Sequence, residues 1–167
     1  MSRRKGEPLS ADARRTGDSA ADAKAAPRRG MLPDLLGYQL RRAQIAVFQN
    51  FAQAMADFDI TPGRFGVLEV IAANSGLSQS ELGAILGLDR STVVAVIDRL
   101  EKDGLVRRLK SPTDRRSHAL RLSEKGAVTL AVLEQRVAAH ERDIAGALSA
   151  AERKTLLDLL ARVARGS

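Results

Sequence analysis

The stretch from Ser78 to Leu122 limits the fold more than any other part of the chain, because its start and stop signals leave room only for short elements. Ser78 and Glu81 have capping-box spacing, in which a hydroxyl and a carboxylate satisfy each other's backbone N–H groups. Leu82, Ile85 and Leu86 then predict a short helix over about 78–86, with all three pointing inward. Gly87 supplies a turn and Asp89 the next helix start. Val93, Val96, Ile97 and Leu100 follow at i, i+3, i+4 and i+7, the spacing of one buried helical face. That helix, about 90–103, closes at Gly104. Leu105–Leu109 reads as a strand, Ser111-Pro112-Thr113-Asp114 as a turn, and Ser117–Leu122 as the returning strand of a hairpin.

Two short helices joined through a glycine and followed by a basic hairpin predict a winged helix-turn-helix. The second helix of the pair has an outer face of Ser91, Val94, Ala95, Asp98 and Arg99, with Arg90 at its tip. Small and polar residues on an exposed helical face fit a DNA major groove about 12 Å wide. Arg90 can donate to guanine or to phosphate, and Ser91 and Thr92 to phosphate or a base edge. The helix N-terminus is expected to offer free N–H groups to a backbone phosphate. Val94 and Ala95 either meet thymine methyl groups or extend the core. The hairpin carries Arg107, Arg108, Lys110, Arg115, Arg116 and His118, and arginines at a hairpin tip can enter a narrow minor groove. Asp114 either orients one of these arginines or makes the turn.

The rest of the chain is helical by its spacing. Residues 1–30 carry eight Lys/Arg, four Asp/Glu and almost no large apolar side chain. Such a segment cannot bury enough surface to offset the entropy of ordering, so a disordered basic tail is expected there. A domain over 31–167 follows. Pro33-Asp34 suits a helix start, and Leu36, Leu40, Val47, Phe48, Phe51, Met55 and Phe58 predict a long first helix over about 34–57. Thr61-Pro62 starts a second, with Phe65, Leu68, Val70 and Ile71 apolar. Ser123 caps a long fifth helix over about 123–147, with Ala127, Leu130, Leu133, Val137 and Ile144 apolar. Ser149 and Glu152 box the start of a last helix carrying Leu156, Leu157, Leu160 and Val163. The expected fold is mostly α with one small β-hairpin wing: a winged helix-turn-helix core over about 61–122 between helices over about 34–57 and 123–164. An amphipathic final helix needs a partner to cover it, either a second copy of the chain or other helices of its own.

Composition narrows the function classes. The net charge of +7 favours a polyanionic partner, and six Lys/Arg against one Asp fall within residues 107–121. Only five aromatic rings are present, Tyr38, Phe48, Phe51, Phe58 and Phe65, too few for a reader that stacks single-stranded bases. The absence of cysteine excludes disulfides, thiol redox sensing and cysteine-based zinc sites. Two histidines far apart in sequence, His118 and His140, make no expected metal site, and no cofactor is expected. No apolar run reaches the roughly 20 residues that span a bilayer, and no apolar segment follows the basic N-terminus as in a secretory signal. A cytoplasmic, non-membrane protein is expected. No nucleophile elbow, phosphate-cradling glycine loop or paired catalytic carboxylates appear, so an enzyme is not expected.

The segment SQSELGAILGLDRSTVVAVIDRLEKDGLVRRLKSPTDRRSHALRLSEKG resembles the heart of MarR-family transcriptional regulators. The matching residues are Leu100, Glu101, Gly104, Leu105, Val106 and Arg108, then Asp114 and Arg116 in the wing, then Leu122 and Gly126. Ser123 stands where the family has threonine and caps equally well. The resemblance spans about 34–164. It implies a homodimer held by the first and last two helices, with two reading helices about one DNA turn apart, roughly 34–36 Å, on a pseudo-palindromic double-stranded operator. Several family members read a base with an arginine in mid-helix; Ala95 stands there, so their target sequences do not carry over.

The resemblance also implies a small effector between the dimer helices and the winged unit, coupled to DNA by typically about 1–3 kcal/mol. Candidate lining residues are Tyr38, Arg41, Arg42, Ile45, Phe48, Gln49, Phe51, Arg64 and Phe65, unless the phenylalanines are only core. The segment LLGYQLRRAQIAVFQNF resembles a subgroup that responds to hydroxycinnamoyl-CoA thioesters such as p-coumaroyl-CoA or feruloyl-CoA. Such a ligand needs an apolar slot for the acyl end and arginines, here Arg41 and Arg42, for the phosphates. A free phenolic acid is the alternative effector, and an effector-independent architectural protein the alternative function.

Overall fold

The structure, a computed structural model, describes residues 28–110 and 118–166, and of Lys110 and His118 only the backbone. The expected tail, apart from residues 28–30, and the wing-tip residues Asp114, Arg115 and Arg116 lie outside the described residues.

A 3-10 turn at Leu32–Asp34 leads into α1 (Leu36–Ala54), α2 (Pro62–Ala73), α3 (Gln79–Leu86), α4 (Arg90–Lys102), β1 (Val106–Lys110), β2 (His118–Leu122), α5 (Glu124–Ile144) and α6 (Ala150–Arg165). The expected order of elements is the observed one. The strands form an antiparallel hairpin with Val106 opposite Leu122 and Arg108 opposite Leu120. Residues 76–77 dock on its inner edge, where the Gly76 N–H donates to the Leu120 carbonyl (2.9 Å) and Leu120 donates back to Leu77 (2.8 Å).

Caps set the boundaries. Thr61, Ser78, Asp89, Ser123 and Ser149 each accept a backbone N–H three residues on, and the Ser78–Glu81 and Ser149–Glu152 boxes are both closed. The two boxed glutamates, held by backbone and hydroxyl donors, sit below their ordinary carboxylate range. Gly87 ends α3 in the left-handed conformation (φ 63°), which lets α4 turn away after two residues. The first helix is shorter than its spacing predicts: it starts at Leu36, because Pro33 sits in the separate 3-10 turn, and ends at Ala54.

One core joins α1, α2, α3, α4, the hairpin and α5, with Met55, Leu68, Ile71, Leu82, Ile97, Leu100, Leu120 and Leu133 essentially sealed from solvent. Each such side chain contributes about 1.5–3 kcal/mol on burial. Ile85, expected inward, is 56% exposed, and Ala127 is also exposed. A short helix between two neighbours buries only a narrow stripe, which Leu82 and Gly83 fill.

The tightest joint lies where α5 leaves the hairpin. Ser123 donates its N–H to the Leu105 carbonyl (2.9 Å) and its hydroxyl to the Gly104 carbonyl (2.6 Å). A Cβ at Gly126 would lie 2.0 Å from the Leu105 oxygen, so only glycine lets the helix approach so closely. At the far end of α5, His140 is 2% exposed, stands edge-on to the Phe51 ring and donates through Nδ1 to the Asn50 amide oxygen (2.6 Å).

The last helix is different. No residue of α6 is buried, and Leu156, Leu157, Leu159, Leu160 and Val163 are 38–51% exposed. Together with Leu36, Leu40, Ala43 and Val47 of α1 they wall an apolar groove of about 770 Å³. Among the described residues no helix is long and apolar enough to cross a membrane.

Candidate nucleic-acid interface

The outer surface of α4 follows from its heptad-like spacing. Val93, Ile97 and Leu100 are buried, and Ser91, Val94, Ala95, Asp98 and Arg99 are exposed, with Arg90 exposed at the tip. Val94 and Ala95 therefore do not extend the core: Val94 is 37% exposed, and with Arg90, Ser91 and Asp98 they line an open hollow of about 500 Å³.

The start of α4 departs from expectation. Asp89 accepts the Thr92 N–H (2.9 Å), the Thr92 hydroxyl (2.6 Å) and the Ser91 hydroxyl. These donors, the Ser91 hydroxyl first, hold the Asp89 carboxyl well below the usual carboxylate range. The helix end thus carries its own fixed anion, which takes up the Thr92 N–H, and the Ser91 and Thr92 hydroxyls both donate to it.

Two of the expected DNA-contacting arginines are engaged inside the protein. Arg108, with a side chain 19% exposed, donates from β1 to Glu101 (2.5 Å) and Asp98 (2.6 Å) of α4, while the Glu101 carboxylate also accepts the Arg108 backbone N–H (3.2 Å). This fork locks the hairpin to α4. Arg99 pairs with Asp103 one turn on and with Asp59 across the α1–α2 turn, both at 3.0 Å. Asp59 has a positive φ of 48°, and its carbonyl is held by the Arg64 guanidinium (2.8 Å). Arg64 is thereby tied to the turn. Arg107 is exposed on the outer side of β1. The sequence offered a signal for the Glu101–Arg108 pair, their opposite charges flanking a tight turn, but none for Asp59.

On α1, Tyr38, Arg41, Arg42, Ile45, Phe48 and Gln49 form one stripe, distinct from the Leu36–Leu40–Val47 stripe that faces α6. Arg42 lies over the Tyr38 ring, 5.9 Å from its centre. Ile45 and Phe48 are 45% and 48% exposed and, with Gln44, Gln49 and Ala52, line a shallow hollow of about 410 Å³. Two expected lining residues lie behind this stripe. Phe51 is 4% exposed in the core, against Phe65 (centroids 6.3 Å apart), which is itself packed on that core. Both rings are turned inward by helical phase.

Comparison with known proteins completes the picture. The model of the MarR family matches residues 58–117. Over 137 residues the chain is 45% identical to a protein of Thauera aromatica assigned to the hcr operon as its transcriptional regulatory protein, covering 81% of this chain and 82% of that one. The transcriptional repressor CouR, solved bound to a 23-mer DNA duplex, has a TM-score of 0.79 and 43% identity over 83% of this chain and 98% of CouR. CouR bound to p-coumaroyl-CoA gives 0.77 and 41% over 83% and 97%. A buried α4 core face, a boxed α3, a hairpin pinned by Glu101 and Arg108, and identity at this level over most of both chains have one reading: the chain belongs to the MarR family of transcriptional regulators.

Proposed function

We propose that the chain is a homodimeric repressor that reads a pseudo-palindromic operator and is released by an aromatic acyl-CoA thioester, with p-coumaroyl-CoA the first candidate. The observation that carries the DNA reading is the exposed stripe of α4, apolar and small at its centre, on a helix whose other face is buried. Arg90, Ser91, Val94 and Ala95 meet base edges in the major groove; Arg107, Lys110, Arg115, Arg116 and His118 of the hairpin meet the backbone and minor groove. Arg99 and Arg108 act by holding α4 in place. The reading unit is residues about 61–122, and the helices about 34–57 and 123–164 make the dimer. The apolar face of α6 supports this, since Leu156, Leu157, Leu159 and Leu160 are 38–51% exposed among the described residues. A regulator of this kind works in the cytoplasm, beside the chromosome and the acyl-CoA pool.

The effector reading draws on the ligand of CouR and on the α1 stripe, where Ile45 and Phe48 offer an apolar slot and Arg41 and Arg42 lie about one turn from Ile45 and two from Phe48, for phosphates. The test is a duplex selected from random DNA, followed by titration with p-coumaroyl-CoA and p-coumarate. The thioester is expected to release DNA and the free acid to do so poorly. The double change Arg41→Ala, Arg42→Ala should weaken thioester binding roughly ten- to hundred-fold, as charge-assisted contacts worth about 1.5–3 kcal/mol disappear. Equal binding of p-coumarate would replace the thioester with a phenolic-acid effector. Binding of neither, with DNA still held, would leave an effector-independent DNA-binding protein.

A further inference from the structure

The reading stripe of α4 has a hydrogen-bond polarity fixed from within the protein. A hydroxyl has one proton and two lone pairs. Ser91 and Thr92 both direct that proton to Asp89, so what Ser91 shows the solvent is an acceptor. Two turns on, Asp98 is 58% exposed at its side chain, and an ionised carboxylate only accepts. Its Oδ1 is held by Arg108 at 2.6 Å, and no described residue holds Oδ2. A carboxylate facing DNA is ordinarily repelled by phosphates; the Arg108 guanidinium offsets that charge and fixes the group's direction. Between Ser91 and Asp98 lie only the Val94 and Ala95 side chains. Positions 91 and 98, with 94 and 95 between them, lie seven residues apart, about 10.5 Å along a helix, or about three base-pair steps.

We propose that this stripe is an acceptor–apolar–acceptor code, reading base edges that present amino groups, adenine N6 or cytosine N4, at both ends with thymine methyl groups between. The inference rests on the reading of α4 as the helix that enters the major groove. Guanine opposite either end places O6 and N7, both acceptors, against an acceptor, leaving lone pairs desolvated and unpaired. Asp98 is therefore a specificity-determining residue, Asp89 and Arg108 are its counterparts in positioning, and Arg90 supplies the donors beyond the stripe. The discrimination expected at each end is roughly five- to a hundred-fold.

The experiment is selection of duplexes from a randomised library by the full-length protein and by Ser91→Ala, Asp89→Asn and Asp98→Asn, all surface changes whose melting is checked first. The wild type should enrich adenine or cytosine at two positions about three base pairs apart in each half-site, with thymine between. Asp98→Asn, which gains a donor, should move its position toward adenine, whose N6 and N7 an amide pairs with together. Ser91→Ala should erase preference at the other position alone. Asp89→Asn keeps one oxygen for both the Thr92 N–H and the Ser91 hydroxyl and releases only the Thr92 hydroxyl, so the Ser91 position should keep its preference. Enrichment of guanine at both positions by the wild type, or an unchanged profile in Asp98→Asn, overturns the code while leaving DNA binding intact. Failure of the folded wild type to retain any duplex at low salt overturns the DNA reading itself, and the code with it.

Discussion

Gly126→Ala tests whether the joint between α5 and the reading helix is as close as the structure has it. On helix propensity alone the change stabilises, since alanine exceeds glycine by about 0.8–1 kcal/mol in a helix. Against this, the new Cβ would lie 2.0 Å from the Leu105 carbonyl oxygen, where carbon–oxygen contacts normally open to about 3.4 Å. The obstacle is backbone, so α5 has to retreat by more than about 1 Å. That retreat stretches the 2.9 Å bond from the Ser123 N–H to Leu105 and the 2.6 Å bond from its hydroxyl to Gly104 beyond hydrogen-bonding range. Ser123 is 7% exposed, so its groups are not rehydrated, and two unmade buried bonds cost about 1–3 kcal/mol each. The clash wins, by about 1–5 kcal/mol net. For a chain of this size that is a Tm lowered by roughly 2–20 °C, measured at fixed protein concentration because a dimer's melting depends on it. Gly66→Ala is the control: it sits inside α2 with nothing within 4 Å of the added carbon, and should raise Tm by about 1–4 °C. A Gly126→Ala protein that melts within about 1 °C of wild type, or above it, would refute the close approach.

Other consequences follow from the same geometry. Arg108→Met should destabilise the fold by about 1–2 kcal/mol, discounted because both carboxylate partners are partly exposed, and weaken DNA binding without changing its salt slope; a slope reduced by about 1 would mean that Arg108 meets phosphate directly. Arg115→Ala with Arg116→Ala should weaken binding and flatten the salt slope by up to about 2, whereas unchanged affinity across a salt titration would remove the wing from the interface. Glu69 is held above its ordinary carboxylate range by burial and by Glu134, so its charged form is disfavoured in the folded state. Its raised pKa means that the folded chain binds the proton more tightly, so stability from this site rises as pH falls through that value. Glu69→Gln should therefore raise Tm at pH 7, with the gain vanishing in acid where Glu69 is itself protonated; a gain independent of pH would point to packing and not to charge.

The elements of this fold were legible because their signals are local. Capping boxes at Ser78 and Ser149, the left-handed stop at Gly87 and the i, i+3, i+4, i+7 spacing of Val93 to Leu100 each involve residues within two turns, where backbone geometry alone decides who meets whom. Periodicity was weaker where a helix carries more than one apolar stripe. On α1, Phe48 and Phe51 look alike in sequence, yet one is 48% exposed and the other 4%, because only the placement of α2 and α5 chooses between neighbouring stripes. Ile85 misleads for the same reason on a helix too short to need three inward residues.

The charged side chains were the least legible part, and they decide how the reading helix is presented. Arg99 meets Asp59 forty residues away, and Arg108 meets Asp98 ten residues back across a turn. No periodicity encodes such pairs, so an exposed Arg on a basic hairpin reads as a DNA contact whether or not its donors are already taken. Counting charge overstates the number of arginines free for phosphate and overlooks acceptors built into the same face. The net charge of +7 gives affinity for any duplex. Selectivity needs the opposite property, groups that reject most base edges, and the Ser91 oxygen, its proton held by Asp89, and the Asp98 carboxylate, offset by Arg108, are placed to supply that rejection without repelling the backbone.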